Sequence, residues 1–208
     1  KTPYFRRLGS FSTPSEQFLK RYNCHESNMV EKIIEADQNI SIKLKIPEKA
    51  KILRAAAAFF AHSGDSWFWM AGLCLIWFFT QGQWHQYSAL FAIAILIQAS
   101  LTLGIKFMIK RQRPEGRWGY IYRKTDPHSF PSGHAVRSAM LVVMAWSLQL
   151  SPLNWILTLW APLVSLARVS LGVHYFIDVL AGWLFGIALA FAILAAQPLL
   201  YQAFPFLF

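Results

Sequence analysis

The sequence predicts an all-α fold: a multi-pass transmembrane bundle of about five to six membrane helices behind an amphipathic N-terminal interfacial segment. Two observations carry this. Hydrophobic residues make up 55% of the chain, above the roughly 45–50% usual in soluble domains. No Asp, Glu, Lys or Arg occurs between Asp65 and Lys106, between Arg137 and Arg168, or after Asp178. Each gap is long enough for at least one bilayer crossing of ~20 residues.

The charge pattern agrees. The net charge is +10, but the basic residues other than Arg168 lie before the first gap and between Lys106 and Arg137, flanking apolar spans. They read as membrane-surface and phosphate-facing charge, and no nucleic-acid partner is expected. Cys24 is in a polar region and Cys74 in an apolar one, which argues against a disulfide framework. No signal-peptide pattern precedes the polar segment. Two regions follow: a polar, basic, amphipathic segment over 1–49 and a transmembrane domain over 50–208.

Within the first region, residues 1–26 are basic and without a strong period. Asn28 followed by Glu31 has the form of a capping box, predicting a short helix that starts there, with Val30, Ile33 and Ile34 on one face. Ile40, Ile42, Leu44 and Ile46 alternate with polar residues until Pro47. Alternation normally means a strand, but here a segment lying on the membrane surface is expected instead of a sheet.

Helix resumes at Glu48 and runs through Ala55–Phe60 until His62-Ser63-Gly64-Asp65 interrupts it. Trp67–Thr80 is apolar but short for a crossing. Residues 50–80 are therefore either an interfacial helix plus a tilted span or one broken span. Tyr87–Lys110 is a full span ending in basic residues. The polar loop 111–131, with Pro114, Gly116, Gly119, Pro127 and Pro131, is too broken for a single helix. Gly133–Leu150, Pro152–Ala167 and Tyr175–Gln197 are the remaining spans. Gly182 and Gly186 in the last have the spacing of a helix-packing pair.

Loops alternate in character. One face receives the N-terminal arm, residues 106–137 and the turn from Arg168 to Asp178; the other receives no Lys or Arg. Lys110, Arg111, Arg117, Arg123 and Lys124 keep that bias when possible site residues are set aside, so the charged face is expected in the cytoplasm.

Three clusters meet on that face if the spans pack antiparallel: Lys106 with Arg113-Pro114, then Pro131-Ser132-Gly133-His134, then Arg168 with His174 and Asp178. Ionisable residues inside so apolar a region are costly and ordinarily mark a site. Ser132 and the Gly133 amide at a helix start form an anion site, because the first helical turn leaves N–H groups unpaired. A lysine and two arginines suit phosphate oxygens. Of the two histidines, one oriented by Asp178 can attack phosphorus while the other protonates the departing oxygen. Each piece alone has a plainer reading as interfacial anchor, loop-to-helix turn, structural histidine or local pair. Their joint occurrence on one face argues for chemistry.

In order and internal spacing the three clusters resemble the signature of the type-2 phosphatidic acid phosphatase superfamily, which includes membrane lipid phosphatases, glucose-6-phosphatase and vanadium haloperoxidases. The resemblance covers residues 106–178. It implies that His174 is the nucleophile forming a phosphohistidine and that Asp178 holds its tautomer. His134 would serve as general acid and then as base, with Lys106, Arg113, Ser132, Gly133 and Arg168 on the phosphoryl oxygens. No metal or other cofactor is implied. One departure is Ala167 before Arg168, where the family usually has serine.

The expected function is therefore an integral-membrane phosphatase acting on a lipid phosphate or diphosphate of isoprenoid diphosphate, phosphatidate or phosphatidylglycerol phosphate type. Its partners would be the bilayer and that lipid. His62–Asp65 before an apolar span adds a weak likeness to the polyisoprenoid-diphosphate branch. The alternatives are a soluble-substrate (sugar phosphate) phosphatase of the same superfamily and, in another class, a transporter or proton-pathway protein. A transporter would place its charges at mid-span; here they lie at predicted span ends.

Overall fold

The computed structural model describes residues 14–115 and 126–208, with side chains from residue 29 onward. Residues 1–13, and the part of the polar loop carrying Gly116, Arg117, Gly119, Arg123 and Lys124, lie outside the described residues, as does the side chain of Cys24. Among the described residues all regular structure is helical, apart from an isolated bridge between Gln112 and His128. The all-α expectation holds. By contacts the chain divides into two units, residues 1–37 and residues 38–208, each described by itself.

Helix α1 (Pro14–Lys43) contributes its first 24 residues to the first unit. It corrects the expected start at Asn28, since the helix is already running there. Proline at a first helical position costs nothing, its missing N–H being one of the unpaired ones, and each further residue adds a hydrogen bond once a helix exists. The same propagation overrides the two-residue alternation at Ile40 and Ile42, both helical, and Leu44 N–H still donates to Ile40 O at 3.1 Å.

In the second unit, α2 (Lys51–Ser63) is built on the alanine run and ends at Gly64. Its Ala57 and Ala61 pack on Ala167, Leu171 and Val173. Helix α3 (Ser66–Phe79) follows after Asp65, whose extended φ/ψ of −66°/140° breaks the two apart. Trp160 Nε1 donates to Ser63 Oγ, so α2 stops well short of the far end of the bundle.

Helices α4 (Gln83–Ile109), α5 (Gly133–Ser147), α6 (Leu153–Ser170) and α7 (Phe176–Ala203) complete the bundle. As helices they coincide with the four later segments expected from sequence, within a few residues at most ends, although α5 is shorter than the span expected over Gly133–Leu150. Among the described residues α4, α6 and α7 are long and apolar enough to cross a membrane, and α3 is a shorter apolar helix. Leu159, Leu184, Phe191 and Met108 are largely exposed, as expected where the surrounding solvent is lipid. Inside, Leu90, Ile95, Met140, Leu141 and Met144 are fully buried in one core shared by α3, α4, α5 and α7.

The glycine pair acts as the spacing suggested. A Cβ on Gly182 would fall 2.9 Å from Ala135 Cβ, and one on Gly186 would fall 2.2 Å from Val136 O. Backbone contact this close draws the first turn of α5 onto α7. Ser132 N–H donates to Asp178 O at 3.0 Å, closing the junction. Gly133 sits against Thr102, seven residues before α4 ends, so α5 begins about 10 Å inside the bundle. The end of α4, the start of α5, the end of α6 and the start of α7 converge there.

Candidate active site

Ser170 ends α6, and Leu171-Gly172-Val173-His174 reverses the chain into α7, Gly172 taking a φ of +71°. This tight return points His174 inward, 1% exposed, and the amides of Val173 and His174 both donate to Arg168 O at 3.1 Å. Arg168 is 1% exposed on the last turn of α6. Lys106 on the last turn of α4 and Arg113 just beyond it are buried as well. A cavity of about 250 Å³ is lined by Lys106, Gly133, His134, Arg168 and His174. Ser132 Oγ, the N-cap hydroxyl of α5, one residue before the cavity-lining Gly133, is fully buried with no hydrogen-bond partner among the described residues. The three clusters therefore converge. A second cavity, of about 490 Å³ and lined by Ser41, Lys45, Gln112, Arg113 and Tyr175, meets the first at His174.

Arg113 fixes the tautomer of His174. Its Nη1 lies 3.2 Å from His174 Nε2 and 3.0 Å from Val173 O. A guanidinium only donates, so Nε2 carries the lone pair and Nδ1 carries the proton. Nδ1 faces Asp178 Oδ2 at 3.6 Å, longer than the hydrogen bond expected from the four-residue spacing. The reason is competition: Asp178 Oδ1 accepts from Arg111 Nη1 at 2.6 Å and Oδ2 from the Tyr175 N–H at 2.9 Å. Asp178 is thus ion-pair partner, N-terminal cap of α7 and neighbour of the imidazole at once. Complete burial, then the charges of Arg113, Arg168 and Lys106, hold His174 well below the usual histidine pKa. It is therefore neutral, the form in which an imidazole nitrogen is able to act as a nucleophile.

Sequence reasoning missed four partners. Arg111 stacks 4.2 Å over the Tyr175 ring while pairing with Asp178. Asp126 accepts from Lys106 Nζ and, at 2.7 Å, from Arg113 Nη2. Arg137 donates to Gly64 O and Ser66 Oγ, and His134 Nε2 lies 2.8 Å from Asp65 Oδ1. Arg137 stood out in the sequence only as the edge of an uncharged stretch, and Asp65 as such an edge and as part of the break at 62–65, with no partner indicated for either. Ala167 packs against Ala57 and Ala61 and does not line the cavity, so the serine it replaces would not meet the anion here.

Comparison with known proteins identifies the family. Residues 86–201 match the model of the PAP2 superfamily. The chain is 28% identical over 171 residues to an undecaprenyl-diphosphatase of Sulfolobus acidocaldarius, covering 77% of this chain and 81% of that one. It is similar to the PAP2 type phosphatidylglycerolphosphate phosphatase of Bacillus subtilis, with a TM-score of 0.64 and 26% identity over 82% of this chain and 87% of that one. LpxE of Aquifex aeolicus shares the fold, with a TM-score of 0.56 and 23% identity over 78% and 94% of the two chains.

Proposed function

The chain belongs to the PAP2 superfamily and is an integral-membrane phosphatase, and we propose that it hydrolyses a lipid phosphate or diphosphate through a phosphohistidine on His174. The observation that carries this is one cavity shared by Lys106, Gly133, His134, Arg168 and His174, with the orphaned Ser132 hydroxyl one residue before Gly133 in the chain. A buried polar atom without a partner calls for a ligand, and an anion with several oxygens suits cations and hydroxyl alike.

The sequence of events follows from the tautomer. A phosphoryl group entering between Lys106, Arg113 and Arg168 replaces Asp126 and the Nε2 contact as acceptor for their donors. That releases the His174 lone pair to attack phosphorus. His134 protonates the leaving oxygen, then takes a proton from the water that cleaves the P–N bond. The arginines and lysine stabilise charge as it develops on the equatorial oxygens.

For substrate we favour a polyisoprenoid diphosphate. The cavity holds a phosphate but not a chain, and Ala99 and Leu103 of α4 line its wall. An apolar tail lying along α4 in the bilayer would meet apolar side chains there. Likeness to an undecaprenyl-diphosphatase supports the same class. We place the site on the cytoplasmic face from the loop charges, and residues 29–44, with exposed Ile33, Ile40 and Ile42, on the membrane surface.

Phosphate release by detergent-solubilised protein tests this, with isoprenyl diphosphates, phosphatidate, phosphatidylglycerol phosphate and a sugar phosphate compared. Chelator should leave the rate unchanged, and acid quenching during turnover should trap label on His174. Chelator-sensitive turnover, or an active His174→Ala enzyme, would refute the mechanism.

A further inference from the structure

We propose that Asp65 is a positioning residue for His134: it holds the Nε2–H of the ring and leaves Nδ1 as the nitrogen that carries the proton. This rests on the phosphohistidine reading and extends it to the second histidine.

Asp65 occupies the N-cap position of α3, where an aspartate ordinarily accepts from its own helix. It makes no such bond. Its oxygens are turned to histidines instead, Oδ1 to His134 Nε2 at 2.8 Å and Oδ2 to His62 Nδ1 at 3.1 Å. The turn that carries it is fastened from α5 as well. Arg137, three residues after His134 on the same helix face, donates to Gly64 O and Ser66 Oγ on either side of Asp65. Gly64 lets the imidazole lie against the backbone, since a Cβ there would come 2.9 Å from His134 Cδ2 and 3.0 Å from Val164 Cγ1. The interruption between α2 and α3 is thus shaped around one ring.

The need for a carboxylate follows from the rest of the cavity. Lys106, Arg137 and Arg168 line it with His134, and three cations disfavour a further positive charge. A general acid must nevertheless be an imidazolium when the P–O bond breaks. In the first half-reaction His174 Nε2 bonds to phosphorus, the leaving oxygen departs with its electron pair, and the proton on His134 Nδ1 moves to that oxygen. In the second, water oxygen bonds to phosphorus, its proton goes to His134 Nδ1, and the P–N pair returns to His174. The Nε2–H stays on Asp65 throughout, and its negative charge offsets the imidazolium in the half of the cycle when it exists.

The test compares leaving groups by kcat/KM, which reports steps up to phosphoryl transfer. An alkyl phosphate must leave as a poor alkoxide and needs the acid, whereas 4-nitrophenyl phosphate leaves as a stable phenolate and does not. Asp65→Asn should lower kcat/KM on the alkyl ester by about 10–100-fold and on the aryl ester by less than about 3-fold. His134→Ala should show the same split. A retained kcat/KM on the aryl ester is also the proof of folding. Should the asparagine variant not fold, Asp65→Glu carries the comparison, its longer side chain displacing the acid so that the alkyl rate alone falls. Equal loss on both esters in a folded variant, or no loss on either, overturns the proposal. His174→Ala separates the two readings: it should abolish both activities, and its failure to do so would strike the phosphohistidine reading instead.

Discussion

Arg113 Nη1 lies 3.2 Å from His174 Nε2, so the atom assigned to attack phosphorus is covered by a group assigned to bind it. Asp126 completes the arrangement, accepting from Arg113 and Lys106 together. On the proposed reading this carboxylate stands where two cations would meet phosphate, and binding would exchange one anion for another.

Arg113 should therefore not be replaceable by lysine. Its fork holds Asp126 O, Asp126 Oδ2, Val173 O and the His174 ring at the same time, which a point charge cannot do. Arg113→Lys is expected to lower kcat/KM by about 100-fold, and to weaken competitive inhibition by inorganic phosphate in parallel.

Asp178 should matter to folding as well as to turnover. Its replacement by alanine strips Arg111 of a buried ion-pair partner and α7 of its cap. The Arg111 side chain is 22% exposed and can rehydrate, so a loss of roughly 2–3 kcal/mol is expected, at the low end for such pairs. Thermal denaturation in detergent should show Asp178→Ala falling below His174→Ala, although both lose activity.

Gly186→Ala places a methyl group 2.2 Å from Val136 O. Neither helix can yield there without moving α5 off α7, and the expected cost is about 2–3 kcal/mol, with lost activity because Ser132–His134 moves too. Gly72→Ala, with nothing within 4 Å of the new Cβ, is the control. It should be neutral or slightly stabilising, as helical glycine is the poorer residue. Melting temperatures of the two variants check this.

The pH dependence of stability has a definite sign at His174. Burial and the surrounding cations depress its pKa in the folded state below the ordinary 6.5, so below that pH the unfolded chain binds a proton the folded one refuses. Its contribution is whole above about pH 6.5 and is lost as pH falls toward the depressed folded-state value. Melting of the ligand-free protein should drop over pH 7 to 5, and His174→Gln should flatten that drop.

Local pattern was enough to read the apolar helices, because long charge-free stretches leave the chain few other choices. It was misleading at α1. The Asn28–Glu31 pattern is a legitimate helix start, and a helix already under way passes through it. At residues 50–80 pattern left two readings open, and the break at Gly64-Asp65 has its reason in His134 and Arg137, about 70 positions away.

An all-helical membrane protein, and the eight residues of its candidate site, are legible along the chain. Both are written in composition and short spacings, where burial cost and helix-end chemistry act locally. Only the tertiary structure decided which charge answers which: Asp126 to Lys106 and Arg113, Arg111 to Asp178, Asp65 to His134. Those pairs join segments 13 to 69 positions apart, and their identity depends on backbone approach measured in tenths of an ångström. Glycines at 64, 182 and 186 permit that approach, and no periodicity along the chain records it.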